Sequence, residues 1–422
     1  MISSIKFLGS VLRSKDGFAL NQRWIEYCLI PAIEEGVNIK ISLIPREELS
    51  HIHQVIYESN GIALEDIDAS SWVDLYTKEP SKDVQEVLKR YFKNTLVIAF
   101  ELHPIIQKSF DILGITYIKL MNHPVRYMSD IFFGMTSNNE NIHKKMLKHQ
   151  TDEFIFKQHA GILQAEHSVN DISKRVSIKE NSCIFFGQTN VDCSLIDGDR
   201  TLNFFDFKDE FLRDIAPYDH VYFKVHPYGR NEDVLEFVNS IEKVSILEPH
   251  DVNFYDLISS ENIKECFAIS SGSLYEARLF GKKVKYYHKQ PFSFVSDYPD
   301  GNYDIKETFI PIYKTFWQPY FWGEILEEFF DKNTSVKAHN EFYPNKLRRI
   351  LKLNWGYYDF DSVEQYYKNK DLMTHINYRF NEIKQVENSL IMKLNNLIVK
   401  LIYILIPIKS IRHNFKEKYF IG

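Results

Sequence analysis

Ser182-Cys183-Ile184-Phe185-Phe186-Gly187-Gln188-Thr189-Asn190-Val191-Asp192-Cys193-Ser194 passes from an apolar run into a polar loop through a single glycine. A short apolar run bounded by a turn signal is the pattern of a buried strand. The strand stops where amide, hydroxyl and carboxylate groups begin. The pattern recurs twice downstream. His220-Val221-Tyr222-Phe223-Lys224 leads into Val225-His226-Pro227, and Cys266-Phe267-Ala268-Ile269 leads into Ser270-Ser271-Gly272-Ser273. Residues 283–287 read as the next strand. In open α/β sheets ligands bind outside the carboxyl ends of strands, so three polar strand ends in one half of the chain point to one site.

Upstream, residues 4–10 read as a strand and turn, 21–35 as a helix, and 38–44 as a strand. Residues 94–100 form a buried-strand run that ends at Glu101-Leu102-His103-Pro104. Residues 114–120 form another, followed by His123-Pro124-Val125-Arg126-Tyr127. Residues 146–177 read as helical and polar, and Trp- and Tyr-rich helices are expected from about 308. Helix and strand in alternation predict parallel βαβ units. The expected fold is therefore α/β, with two Rossmann-like domains facing across a cleft. The first spans residues 1–175 and the second 176–330. The C-terminal helices of 331–422 would follow, with room to cross back to the first.

Composition narrows the function. With 44% hydrophobic and 26% charged residues in 422, a large packed core is expected rather than disorder. A net charge of −6 lacks the basic face that broad nucleic-acid binding needs, so no nucleic-acid partner is expected. Cys28, Cys183, Cys193 and Cys266 form no CxxC pair, which suits free thiols in a reducing compartment. No basic segment followed by a long apolar run opens the chain, so a cytoplasmic location is expected. Residues 397–408 are apolar but interrupted by Lys400, and they fall short of the roughly 20 residues a bilayer span needs. Lys409, Arg412, His413, Lys416 and Lys418 follow them. Such a tail suits either the surface of an anionic membrane or packing on the body of the protein.

The polar strand ends allow several chemistries. Asp192 suits a general base, a metal ligand or a covalent nucleophile; it equally suits a helix N-cap. Gln188 and Ser194 can hydrogen-bond a sugar or orient that carboxylate. Pro227 fixes the backbone beside His226, and His226 and Lys224 can both meet a nucleotide phosphate. Ser270, Ser271 and Ser273 with Gly272 open a short helix closed by Gly281, a cradle for an anion. Glu276, one turn in, can hold ribose hydroxyls. Glu101 can deprotonate an attacking hydroxyl, and Arg126 can pair with the carboxylate of an acidic sugar; a strand-end salt bridge is the plainer reading of both. The spacing of His123, His103 and Asp130 matches no familiar zinc pattern, and no metal is expected.

Taken in order, Gln188-Thr189-x-x-Asp192-x-Ser194, Lys224-x-His226-Pro227 and Ser273-x-x-Glu276-Ala277-x-x-x-Gly281-Lys282 resemble the retaining β-Kdo transferases of bacterial capsule and O-antigen synthesis, over roughly residues 182–295. The resemblance implies a GT-B arrangement with acceptor-side and CMP-sugar-binding domains, a CMP-Kdo donor, and transfer to a lipid-linked glycan at the inner membrane surface. It makes Asp192 the nucleophile of a covalent Kdo adduct that the acceptor hydroxyl displaces, two inversions giving retention as in glycosidases. It puts His226, Ser271 and Ser273 on the phosphate, Glu276 on the ribose and Glu101 on the acceptor as base. It implies no cofactor, since histidine, lysine and a helix N-terminus can stabilise the leaving CMP. The serine motif also resembles that of bacterial sialyl- and polysialyltransferases. Those use CMP donors but invert, with a base in an acidic-Asp-Gly motif from which Asp197-Gly198-Asp199 departs. A non-catalytic nucleotide-sugar-binding scaffold of an envelope assembly complex is the third reading.

Overall fold

Two five-stranded sheets organise the chain. The computed structural model describes residues 2–336, except 69, 170–176, 190, 191, 199, 228 and 250, together with Lys393. The described residues up to 336 belong to one unit, Met1–Asp361, and Lys393 to a second, Ser362–Gly422. Of the expected C-terminal helices of 331–422, all but 331–336 and Lys393 lie outside the described residues, as does the apolar and basic tail.

The first sheet runs β1 (Ser4–Leu8), β2 (Thr95–Phe100), β3 (Tyr117–Asn122), β4 (Phe133–Ser137). The second half contributes β5 (Ser182–Phe186), a small hairpin of β6 (Ile196–Asp197) and β7 (Arg200–Thr201), then β8 (His220–Lys224), β9 (Val244–Leu247), β10 (Ile263–Ala268) and β11 (Lys283–Tyr286). A last strand, β12 (Ile310–Ile312), returns to the first sheet beside β4.

The first sheet departs from the expected Rossmann pattern. β1, β2 and β3 are parallel, but β4 pairs antiparallel with β3, and β12 pairs antiparallel with β4. The chain has only residues 123–132 to get from β3 to β4, too few for the helical crossover a parallel pair needs. β2, Thr-Leu-Val-Ile-Ala-Phe, is buried along its whole length, as a strand covered on both faces should be. One cover is the helix Lys82–Phe92, capped by Ser81 and burying Val84, Val87, Leu88 and Phe92 on one stripe. The strand expected over 38–44 does not form. Asn38 ends the helix Leu20–Val37 in the left-handed region, and the Ile41 N–H is taken by the Glu34 carboxylate at 2.7 Å rather than by a neighbouring strand.

The second sheet is wholly parallel, in the order β11-β10-β5-β8-β9. Its first strand, β5, has neighbours on both sides, and the winding reverses between β5 and β10. That is the doubly wound order whose switch point opens a crevice at the carboxyl ends.

The halves share a core. One apolar cluster includes Ile118 and Leu120 of β3, Ile184 and Phe186 of β5 and Ala268 of β10. The C-terminal return fastens it: the helix Pro319–Leu326 crosses Leu20–Val37 at two glycines. A Cβ on Gly36 would lie 2.3 Å from the Pro319 carbonyl oxygen, and one on Gly323 2.7 Å from that of Gly36. Residues 310–326 therefore pack on the first half, earlier in the chain than the crossing-back expected after 330.

Candidate functional site

The switch point is closed by side chains rather than by backbone. Gln188, just past β5, pairs both amide atoms with the end of β10: Nε2 donates to the Ser270 carbonyl at 2.5 Å and Oε1 accepts from the Ser270 N–H at 2.6 Å. Ser194 Oγ donates to that same carbonyl at 2.9 Å, and Ser270 Oγ donates to the Lys289 carbonyl at 2.7 Å. Gln188, Ser194 and Ser270 thus build the floor of the site. The turn after β8 seats against the same loop. A Cβ on Gly229 would sit 2.9 Å from Thr189 Cα, so only glycine lets the His226 turn approach this closely.

Asp192 caps a one-turn helix, Cys193–Leu195, its Oδ1 accepting from the Ser194 N–H at 2.8 Å. The N-cap reading is therefore realised, but the carboxylate also has charged company. Burial holds His226 below the ordinary imidazole range while the Asp192 charge pulls it back up. Burial alone would lower Arg13, but the charges of Glu101, Cys193 and Asp192 raise it. Cys193 itself is pushed up to about 12, first by burial and then by Asp192. Asp192 thus stands near His226 of the second half and near Arg13 of the first.

Glu101 faces the same junction. It ends β2 in the left-handed region, φ 50°, which costs a non-glycine residue about 1–3 kcal/mol unless its surroundings hold it. They do: Arg13 Nη1 lies 3.1 Å from Glu101 Oε2, and Ser10 Oγ donates to the same oxygen at 3.3 Å. Asn21 Nδ2 in turn donates to Ser10 Oγ at 2.8 Å. The Arg13 guanidinium lies 4.5 Å from the centre of the Trp72 ring, whose carbonyl meets His103 Nε2 at 3.0 Å. Sequence reading missed Arg13, Ser10 and Trp72. The available signal was the polar turn after β1, a strand end like the other three.

Other expected residues are engaged elsewhere. Lys224 Nζ donates to the carbonyls of Pro249 at 3.0 Å and Val252 at 2.7 Å, so its ammonium holds the loop after β9. Glu276 is 5% exposed; its Oε1 accepts from the Arg126 N–H at 2.7 Å and the Tyr255 hydroxyl at 2.9 Å. Through its backbone, Arg126 therefore ties the His123-to-Tyr127 loop to the second half. Ser271 caps the helix Gly272–Leu279 by accepting from the Ser273 N–H at 3.2 Å. A Cβ on Gly272 would lie 3.2 Å from Pro124 Cβ, so the serine turn abuts that same loop.

The two upstream histidines are structural. His103 Nδ1 accepts from the Ile105 N–H, which leaves Nε2 to donate to Trp72; burial drives this ring down to about 4. His123 is wholly buried among aromatic rings and held well below the usual range by burial. Asp130 accepts from the Ile131 N–H at 2.8 Å. Among the described residues no group of three His, Cys, Asp or Glu side chains is placed to hold a metal ion. Nor is any helix among them long and apolar enough to cross a membrane.

A family model described as alpha-2,8-polysialyltransferase matches residues 80–289, a stretch that contains every candidate residue from Glu101 to Glu276. Among the solved structures similar to the chain are two from Thermosulfurimonas dismutans KpsC. Its beta Kdo 2,4 transferase is 14% identical over 66% of this chain and 78% of that one, with a TM-score of 0.34. Its beta Kdo 2,7 transferase is 13% identical over 76% of this chain and 90% of that one, also with a TM-score of 0.34. No curated protein matches the chain.

Proposed function

We propose that the protein is a glycosyltransferase of surface-polysaccharide synthesis that moves an acidic sugar from a CMP-activated donor to a glycan acceptor. The observation that carries the reading is the convergence at one switch point of the Gln188-to-Ser194 loop, the His226 turn and the Ser271 helix cap. The match of residues 80–289 to the polysialyltransferase model supports the same donor class.

In its finer form the reading is β-Kdo transfer with retention. The Asp192 carboxylate adds to the anomeric carbon as the bond to the phosphate oxygen breaks, and CMP leaves with the electron pair. The dipole at the start of Gly272–Leu279 and the His226 ring stabilise the leaving phosphate. The acceptor hydroxyl, losing its proton to Glu101, then displaces Asp192. That the Asp192 charge is felt by both His226 and Arg13 supports placing these groups at one site. The tail beyond 396 would hold the protein at the inner membrane surface, near a lipid-linked acceptor.

A second reading, inverting sialyl-type transfer, is favoured by the name of the matching family model. Intact-mass spectrometry after incubation with CMP-Kdo or CMP-sialic acid separates the two. Retention requires a mass gain of one sugar on the Asp192 peptide, lost in Asp192→Asn. Inversion gives turnover without adduct, and Asp192→Asn keeps substantial activity. If CMP raises the thermal midpoint no more than UDP or GDP does, the donor class itself is wrong.

A further inference from the structure

We infer that Arg13 is a positioning residue of this site, holding Glu101 in its working geometry at the junction with the Asp192 loop; the inference rests on the transfer reaction proposed above. Three independent features carry it. Glu101 occupies a backbone conformation that costs energy, and strained residues persist where the surroundings over-determine them. Its carboxylate is gripped on one oxygen by Arg13 and Ser10. The guanidinium that grips it lies over Trp72, itself 5% exposed, so its plane rests on a fixed platform.

Arg13 also reaches the other half of the site. Its charge is felt by Cys193, and Asp192 raises it in turn, so the cation that grips Glu101 also feels the loop after β5. Arg13 and Glu101 keep 39% and 34% of their side-chain surface open, so an incoming hydroxyl can reach the pair. The guanidinium has five donors in a fixed fork, and lysine would supply the charge without the planar contact to Trp72.

A double-mutant cycle on kcat tests this, using CMP-Kdo and CMP-sialic acid with a soluble acceptor. Arg13→Gln is expected to lower kcat at least tenfold while the donor KM stays within threefold, and Arg13→Lys to recover part of the loss. Glu101→Gln with Arg13→Gln should be no slower than Glu101→Gln alone, because Arg13 acts through Glu101. Thermal midpoints of all variants show that they are folded; should Arg13→Gln not fold, Arg13→Lys and its pairing with Glu101→Gln carry the same comparison. Effects that multiply independently, or an unchanged kcat, overturn the inference while the transferase reading stands. A wild-type chain that turns over neither donor overturns both.

Discussion

Replacing Gln188 by alanine removes a side chain that satisfies both backbone groups of Ser270, a residue 1% exposed. The consequence is worked from what each group has left. The Ser270 carbonyl keeps Ser194 Oγ at 2.9 Å, so that side loses one bond of two, about 0.5–1.5 kcal/mol. The Ser270 N–H loses Oε1 at 2.6 Å and is left buried with no replacement, a penalty of about 1–3 kcal/mol. Gln188→Ala should therefore cost about 1.5–4.5 kcal/mol, and Ser194→Ala, which leaves Gln188 on the carbonyl, about 0.5–1.5 kcal/mol. The double variant strips the carbonyl of both partners and should exceed the sum of the singles. The assay is urea unfolding of the whole chain, read as a midpoint change at constant m, with the CMP-induced midpoint shift measured in parallel. Gln188→Ala costing no more than Ser194→Ala, or a double variant additive within about 0.5 kcal/mol, would refute the floor described here.

Gly229→Ala forces a Cβ to 2.9 Å from Thr189 Cα and should cost about 1–3 kcal/mol while weakening CMP binding in calorimetry; a well-tolerated alanine would contradict the tight seating of the His226 turn. Asp192→Asn should leave the thermal midpoint almost unchanged, because asparagine caps a helix as well as aspartate does; a large drop would assign the carboxylate a structural role instead. His103 titrates at about 4 in the folded chain against an ordinary value near 6.5, so the unfolded chain binds its proton first. Stability should then fall as pH drops from about 6.5 toward 4, by up to about 1.4 kcal/mol per pH unit from this ring. His103→Asn, which retains a cap for Ile105, should flatten that part of the profile in urea titrations, and an unaltered slope would remove His103 from the account.

In the second half β5, β8 and β10 were legible because each is a short apolar run stopped by polar residues, and parallel burial on both faces writes that pattern directly, whereas half-buried β9 was not read. The first half was less so. Residues 38–44 alternate like a strand, yet the decision lay with Glu34, one helical turn upstream, which captures the Ile41 amide. β12 is three residues long, Ile310–Ile312, and pairs with a strand far earlier in the chain; no local period announces it. At the site, residue types located the strand ends but not which way each side chain turns. Lys224 and Glu276 look like ligands for a phosphate and a ribose in sequence. In space their charges are taken up by backbone carbonyls and by the Arg126 amide and Tyr255 hydroxyl, groups whose nearness only the fold determines. Arg13 was invisible for the converse reason: its partners Glu101, Trp72 and Asp192 lie scattered across the next 180 residues or so.

The seam between the halves limits how the site can work. Transferases and kinases commonly exclude water by closing loops or whole domains, and the two kinds of motion place different demands on the interface. Here His123 has its ring centre 4.4 Å from Phe132 and 5.2 Å from Phe156 on one side, 5.5 Å from Tyr275 and 4.5 Å from Phe294 on the other. Its Nδ1 accepts from the Val125 N–H, so Nε2 carries the hydrogen, and that atom has no hydrogen-bond partner among the described residues. Each buried aromatic side chain hides about 150–250 Å², worth about 4–6 kcal/mol at 25 cal/mol per Å². Hydrating the two rings from the second half alone would cost about as much as a whole domain's stability of 5–15 kcal/mol. Opening the halves along this seam would therefore expose apolar surface at a cost of several kcal/mol, about 4–6 per ring fully hydrated.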